Sequence, residues 1–389
     1  MARRGPAAAV LCWTVVTPRV PQRPAGKESP LPRTARTAGT ARTAASTARR
    51  RLGGACALAA ALTALVCAPA PAAPAPAVGA PVAGATATAE PPGRPKARIV
   101  AHFDFAAGQT PENIALEPDG SANLTFAFAR QVVRVTERGD IRVLATLPAV
   151  ANPDTPLVRA AVVSGIARAH DGTLYVNYLT GTADRTGVWR ITPDGAATRI
   201  AALPPTSFAN GLALDEHRGV LYAADSVLAT VWRISLDDGS VTAWAEGDAL
   251  RPTTFIGANG IKVHRGAVWV SNADRGTLLR IPVRADGTAG PIGLRAEGLP
   301  GIEDFAFPGR GDTLLAALSN RNELVLLRPD GTRRTVLTAK DGLSGPTSVA
   351  VRRSHGTVYV PSAAFDTGID PNLLIAGLPA RRPPRPAHS

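Results

Sequence analysis

A chain of 389 residues with 43 Lys or Arg against 30 Asp or Glu carries a formal net charge of +13, which invites a nucleic-acid reading. The excess sits at one end. The first 96 residues hold 13 basic groups and only two acidic ones, Glu28 and Glu90, while the remainder is near neutral with 30 basic and 28 acidic groups. A near-neutral domain has no electrostatic footprint for a phosphate backbone, so nucleic acid is excluded as a partner.

Residues 1–48 are rich in Ala, Pro, Arg and Thr and read as low-complexity sequence. From Arg49-Arg50-Arg51 the pattern changes to an apolar run, Leu52–Cys67, followed by small-x-small sites such as Ala68-Pro69-Ala70 and Ala75-Pro76-Ala77. A basic flank, a short apolar core and small residues predict a secretory signal peptide over 49–77. The run is shorter than the roughly 20 residues needed to span a bilayer, so no membrane span is expected after processing. So late a signal implies a translation start downstream of Met1, and the adjacent arginines leave the Sec and twin-arginine routes both open. Residues 78–96 form an Ala/Pro-rich linker. All three cysteines, Cys12, Cys56 and Cys67, lie in this leader. The expected secreted or extracytoplasmic domain therefore has no disulfide, no thiol nucleophile and no Cys-ligated zinc.

The rest of the chain is one unit repeated six times. Glu112-Asn113-Ile114-Ala115-Leu116 opens the first copy, followed by the turn Pro118-Asp119-Gly120 and the strand-like NLTFAF. Ser164-Gly165-Ile166-Ala167 opens the second, Asn210-Gly211-Leu212-Ala213-Leu214 the third and Asn259-Gly260-Ile261-Lys262-Val263 the fourth. Glu303-Asp304-Phe305-Ala306-Phe307 opens the fifth and Thr347-Ser348-Val349-Ala350-Val351 the sixth. The third copy, Ser207 to Gly247, shows four short strands whose apolar and polar residues alternate as in half-buried antiparallel strands. A period of roughly 40–50 residues with four strands per unit predicts an all-β fold, a six-bladed β-propeller over residues 97–380. The sixth copy lacks an outer strand after Leu373–Ala376. The segment Arg98–His102 is expected to supply it, joining the two ends of the chain and removing exposed sheet edges. The Pro- and Arg-rich tail at 381–389 reads as disordered.

In such a ring the innermost strands line a central channel. The aligned positions Glu112, Ser164, Asn210, Asn259, Glu303 and Thr347 then converge at its mouth. Four of them bear carboxylate or amide oxygens. Two charged and two neutral oxygen donors suit a hard cation such as calcium, with no sulfur or aligned imidazole to favour zinc or copper. Glu112, Asn210, Asn259 and Glu303 are the expected ligands, with Asp304 as an alternative to Glu303 in the fifth copy. Asn-Gly at a strand start is also ordinary turn chemistry, because both residues tolerate unusual backbone angles.

His170, His217, His264 and His355 fall in turns at the far end of the inner strands, on the order of 15 Å from the mouth, and are not expected to be catalytic. The loops between second and third strands return to the mouth. Together with Ser164 and Thr347, they offer Asn177, Tyr178, Asp225, Asn272 and Asn320 as candidate substrate-pocket residues. No phosphate-binding glycine loop, GxSxG elbow or HExxH motif is present.

The repeated openings ENIAL, ANGLALD, ANGIKV and EDFAF, followed by GxLYVA-type strands, resemble the calcium-dependent six-bladed propellers. That superfamily includes the senescence marker protein/gluconolactonase/luciferin-regenerating enzyme-like proteins, the paraoxonases and diisopropyl fluorophosphatase. The resemblance covers about residues 98–380. It implies a calcium ion, or another divalent cation, at the channel mouth that polarises a lactone or ester carbonyl, or a phosphoryl oxygen. Carried over residue by residue, it implies Glu112, Asn210, Asn259 and Glu303 as ligands, and Glu303 or Asp304 as base or nucleophile. The first copy lacks the Pro-x-Trp of the gluconolactonase branch, the fourth has Asn259 where that branch has Asp, and the fifth has Glu where Asp is usual. The expected function is an exported calcium-dependent hydrolase of lactones or related esters. The alternative is a non-catalytic propeller with a structural metal that binds a ligand or protein.

Overall fold

In the computed structural model the described residues are 96–378, so the leader, the 49–77 segment and the C-terminal tail lie outside them. The first strand, β1 (Ala97–His102), is set apart from its sequence neighbours. Blade one follows as β2 (Pro111–Leu116), β3 (Ala122–Phe126), β4 (Gln131–Val135) and β5 (Ile141–Thr146). Blade two comprises β6 (Val162–Arg168), β7 (Leu174–Leu179), β8 (Gly187–Ile191) and β9 (Ala197–Ala202). Blade three is β10 (Ala209–Asp215), β11 (Val220–Asp225), β12 (Thr230–Ser235) and β13 (Val241–Glu246). In blade four are β14 (Ala258–His264), β15 (Ala267–Asn272), β16 (Thr277–Pro282) and β17 (Gly293–Ala296). Blade five contains β18 (Ile302–Ala306), β19 (Leu314–Leu318), β20 (Glu323–Leu327) and β21 (Arg333–Thr338). Blade six ends the described chain with β22 (Ala350–Arg352), β23 (Thr357–Ser362) and β24 (Asn372–Gly377).

Each blade is a four-stranded antiparallel meander, and the sixth has the order β22-β23-β24-β1. The expected closure is present: β1 pairs with β24 from Ala97 opposite Ala376 to His102 opposite Asn372. One sheet thus contains both ends of the repeat region, which ties the last blade to the first. Every inner strand also touches the inner strand of the next blade, so β2, β6, β10, β14, β18 and β22 form a closed ring around the channel.

The hydrophobic residues lie in six clusters, one between each pair of adjacent blades. Side chains alternate across each strand, and here both faces are used. In β11, Val220, Tyr222 and Ala224 pack towards blade four, and Leu221 and Ala223 towards blade two. Second strands such as β7, β11 and β15 are consequently buried at every position. The half-buried alternation expected of the repeat is absent there, and the outermost strands β5 and β13 are instead largely exposed, each with one buried residue, Ala145 or Ala245. The difference arises because a second strand has a sheet neighbour on both sides and a blade against each face.

The turns joining first and second strands follow their sequence. In Pro118-Asp119-Gly120 the Asp119 carboxylate accepts from the Ser121 amide at 2.8 Å, while Gly120 takes φ 95°. Asp171 and Gly172 repeat the device with the Thr173 amide at 2.8 Å and φ 92°. A short acidic side chain followed by a residue free to adopt positive φ is what this turn requires.

Candidate cation site at the channel mouth

The six aligned positions share a local distortion as well as a phase. The pairing of β2 with β3 slips by one residue between Pro111 and Ile114, and β6 slips between Val163 and Ile166. The same slip falls between Ala209 and Leu212, between Ala258 and Ile261, and between Ile302 and Phe305. In blade six it lies between the isolated bridge Pro346–Ser362 and the pair Ala350–Tyr359. Each is a β-bulge, which leaves residues without a ladder partner and re-aims their side chains. The unpaired residues are Glu112-Asn113, Ser164-Gly165, Asn210-Gly211, Asn259-Gly260, Glu303-Asp304 and, in blade six, Thr347-Ser348-Val349.

The glycines among them are not turn residues. None has positive φ. A Cβ on Gly165 would lie 2.5 Å from the Asn210 carbonyl oxygen, one on Gly211 would lie 2.5 Å from that of Asn259, and one on Gly260 would lie 2.7 Å from that of Glu303. Glycine is used here because neighbouring inner strands approach too closely for any side chain. Side chains then bond the blades together. Thr125 donates to the Ser164 carbonyl at 2.7 Å, Asn177 to those of Asn210 and Gly211 at 3.2 Å, and Ser271 to that of Glu303 at 2.8 Å. Ser164 donates to the Ala209 carbonyl and Thr347 to that of Pro111, each at 2.7 Å.

Within this ring the expected ligands differ in how well they are satisfied. Asn259 Nδ2 donates to Glu303 Oε2 at 2.6 Å, leaving its own amide oxygen without a hydrogen bond among the described residues. Asn210 is 3% exposed, and its side chain makes no hydrogen bond among the described residues. Glu112 Oε2 is buried with no hydrogen-bond partner among the described residues. Burial pushes the Glu112 carboxyl well above its ordinary range, and the charges of Glu303 and Asp304 push it further. Burial likewise raises Glu303 to about 7, against the lowering pull of its Asn259 hydrogen bond and with help from Asp304 and Asp366. Among the described residues, neither of these two desolvated acids has a cationic partner of its own.

Asp304 is in a different position. Lys262 Nζ lies 2.6 Å from both of its oxygens, and Ser348 Oγ donates to Oδ2 at 2.5 Å. The alternative within the fifth copy is therefore divided by geometry: Glu303 meets Asn259, while Asp304 is bound to Lys262 in the wall. Among the described residues no three His, Cys, Asp or Glu side chains gather at metal-binding spacing. A cation here would be held by two carboxylates and two amides. That donor set is all oxygen, and the unpartnered Glu112 Oε2 fits a hard cation such as calcium.

The candidate pocket residues lie around this mouth, but most of their polar atoms are committed. Ser164 and Thr347 are buried and make the inter-blade bonds above. Asn177 is fully buried as such a link. The Tyr178 hydroxyl, also buried, donates to the Pro148 carbonyl. Asp225 accepts from Ser207 Oγ at 2.5 Å, from Trp232 Nε1 at 2.9 Å and from the amides of Phe208, Val227 and Leu228. Asn272 donates to the carbonyls of Ala249 and Arg251 and accepts from the Arg275 amide. Asn320 alone of this group is exposed. Of the histidines, His264 lies at the far end of β14, stacked on Phe307 with ring centroids 3.8 Å apart.

Sequence reasoning passed over Lys262 and Ser348. A signal was there: the fourth residue of each opening is Ala115, Ala167, Ala213, Ala306 or Ala350, and in the fourth copy alone it is Lys262.

No protein-family model and no curated protein matches the chain by sequence. Solved structures match by shape. A luciferin-regenerating enzyme aligns with a TM-score of 0.55 at 12% identity, over 73% of this chain and 95% of its own. A gluconolactonase from Xanthomonas campestris aligns with 0.51 at 16%, over 75% and 99%. An auxiliary nutrient binding protein from Bacteroides ovatus aligns with 0.55 at 10%, over 73% and 76%. The fold is that of gluconolactonase and luciferin-regenerating enzyme. At such identities the likeness is one of fold, and it meets the resemblance carried by the repeated openings.

Proposed function

We propose that this protein is an exported, calcium-dependent hydrolase of lactones or related esters. The observation that carries the reading is the buried Glu112 Oε2, without a hydrogen-bond partner among the described residues and under the charge of Glu303. Asn259 bonds Glu303, and Asn210 stands at the same bulge position in the neighbouring blade. Two desolvated carboxylates without a counter-ion are costly, and a divalent ion removes that cost. Glu112, Asn210, Asn259 and Glu303 would hold it. Once bound, calcium supplies Lewis-acid polarisation of a carbonyl oxygen. Burial raises Glu303 to about 7 in the metal-free site, and a coordinated divalent ion would hold it ionised, the form that a general base for water attack on a lactone carbonyl requires. Asn259 Nδ2 fixes the orientation of that carboxylate. The fold likeness to gluconolactonases makes lactones the first substrates to try. Export rests on the basic flank, apolar run and small-residue sites of 49–77, and N-terminal sequencing of secreted material tests it.

The test is turnover of a lactone, aryl ester and phosphotriester panel with calcium and with chelator. Activity that disappears with chelator and in Glu303→Gln supports the reading. Cation binding without turnover on any substrate overturns it in favour of the second reading, a binding propeller with a structural ion. That second reading draws on Asp304, whose commitment to Lys262 and Ser348 leaves one candidate base instead of two.

A further inference from the structure

The geometry points to Lys262 as a positioning residue that sets the charge of the cation site: by holding Asp304 in the channel wall it leaves the mouth two carboxylates, the complement of a divalent ion. The inference rests on the cation reading above. Three acidic side chains, Glu112, Glu303 and Asp304, come from the unpaired bulge residues of blades one and five. Among the described residues, the cation that pairs with one of them is Lys262 of blade four, which meets Asp304. It makes 2.6 Å contacts to both Asp304 oxygens and is therefore spent on Asp304 rather than shared with Glu112 or Glu303.

The surrounding structure is shaped for this pair. Asp304 is 1% exposed, and its Oδ1 lies 2.5 Å from where a Gly260 Cβ would be, so Gly260 gives the carboxylate its room. Ser348 caps the other oxygen from blade six. The Lys262 ammonium also lies 5.8 Å from the centre of the Phe305 ring, a second favourable contact for a desolvated cation. Five of the six openings carry Ala where Lys262 stands, and Asp304 is the one acid at its own position in the repeat. The two departures occur in adjacent blades and meet. A buried pair of this kind is poor evidence of added stability, but losing one partner strands the other's charge.

With an ion bound, the site would hold three carboxylates, Glu112, Glu303 and Asp304, against the one ammonium of Lys262. Removing Lys262 leaves an extra negative charge beside the ion, and neutralising Asp304 leaves an extra positive one. A merely structural pair would weaken binding whichever partner was lost; a charge-setting pair gives opposite signs.

The experiment measures calcium and terbium affinity by calorimetry on the purified protein and on Lys262→Met, Asp304→Asn and the double variant. Lys262→Met is expected to bind calcium about tenfold more tightly and trivalent terbium with a larger gain. Asp304→Asn is expected to bind calcium about tenfold more weakly. The double variant returns to within about threefold of the parent. If Lys262→Met does not fold, the Asp304→Asn loss and its recovery in the double variant decide the matter. Weaker binding in both single variants, or no change in Asp304→Asn, overturns the assignment. A parent protein that binds neither ion overturns the cation reading itself, which is a separate result.

Discussion

A Cβ on Gly211 would stand 2.5 Å from the carbonyl oxygen of Asn259, so blades three and four meet at the channel with no room for a methyl group. Gly211 has ordinary φ, and the demand on it is purely one of space. Gly211→Ala is expected to destabilise the domain by about 1–3 kcal/mol through overpacking. It should also weaken cation binding, because the strand that moves carries Asn210 or Asn259. Gly311→Ala, with nothing within 4 Å, serves as the control and should be near neutral. Urea denaturation of both variants checks this, and equal stability of the two would refute it.

Glu112→Gln separates the two roles of a buried acid. In the metal-free protein the substitution removes a carboxyl that burial has pushed well above its ordinary range, so the domain should keep its stability or gain some. In calcium it should lose, since one of only two charged ligands is gone. Relative to the parent, the thermal midpoint is expected to be unchanged or higher with chelator and lower with calcium. A variant less stable than the parent in chelator would show that Glu112 is structural in its own right.

The fold was legible because six openings recur in register, and the strand that closes the ring stood out as an orphan apolar segment before Glu112. The ligand candidates were legible for the same reason, since residues in one phase of a repeat occupy one layer of a ring. What the sequence hid was set by contacts between copies. Asn210-Gly211 looks like a turn when read alone, and only the approach of Asn259 shows that the glycine is a spacer. Asp304 and Lys262 lie 42 positions apart, so their pairing has no local signature. Asn177, Tyr178, Asp225 and Asn272 look like surface polar residues, yet they are buried because second strands are covered on both faces.

The acids of the channel give stability a definite pH dependence. Glu303 has an ordinary value of 4.5, which applies in the unfolded chain, and about 7 in the folded one; Glu112 is shifted in the same direction. Between those values the folded protein binds more protons than the unfolded one. The stability due to these groups is therefore fully present below about 4.5 and is lost as pH rises through about 7. With chelator, the thermal midpoint should be lower at pH 8 than at pH 5.5, and calcium should restore it at pH 8. Glu303→Gln should flatten the part of the profile centred on Glu303. A profile without that fall between pH 5 and 8 would sink the argument.

Asp225 tests whether the loops near the mouth serve binding or architecture. Its two oxygens accept five hydrogen bonds, from Ser207, Trp232 and three backbone amides, and the side chain is fully buried. Asp225→Ala leaves those donors unsatisfied together, and hydrogen bonds to a charged acceptor are each worth about 1.5–3 kcal/mol. The expected result is a loss of about 3 kcal/mol or more in urea denaturation, since bonds sharing one acceptor do not add fully. Calcium affinity, measured where the variant is still folded, should stay within about threefold of the parent, because no interaction links Asp225 to Glu112 or Glu303. Asn320→Ala, at the exposed member of the same set, should cost less than about 0.5 kcal/mol. Any change it causes in turnover would then report on substrate rather than on folding. If Asp225→Ala is as stable as the parent and instead alters substrate affinity, the loops belong to the pocket after all.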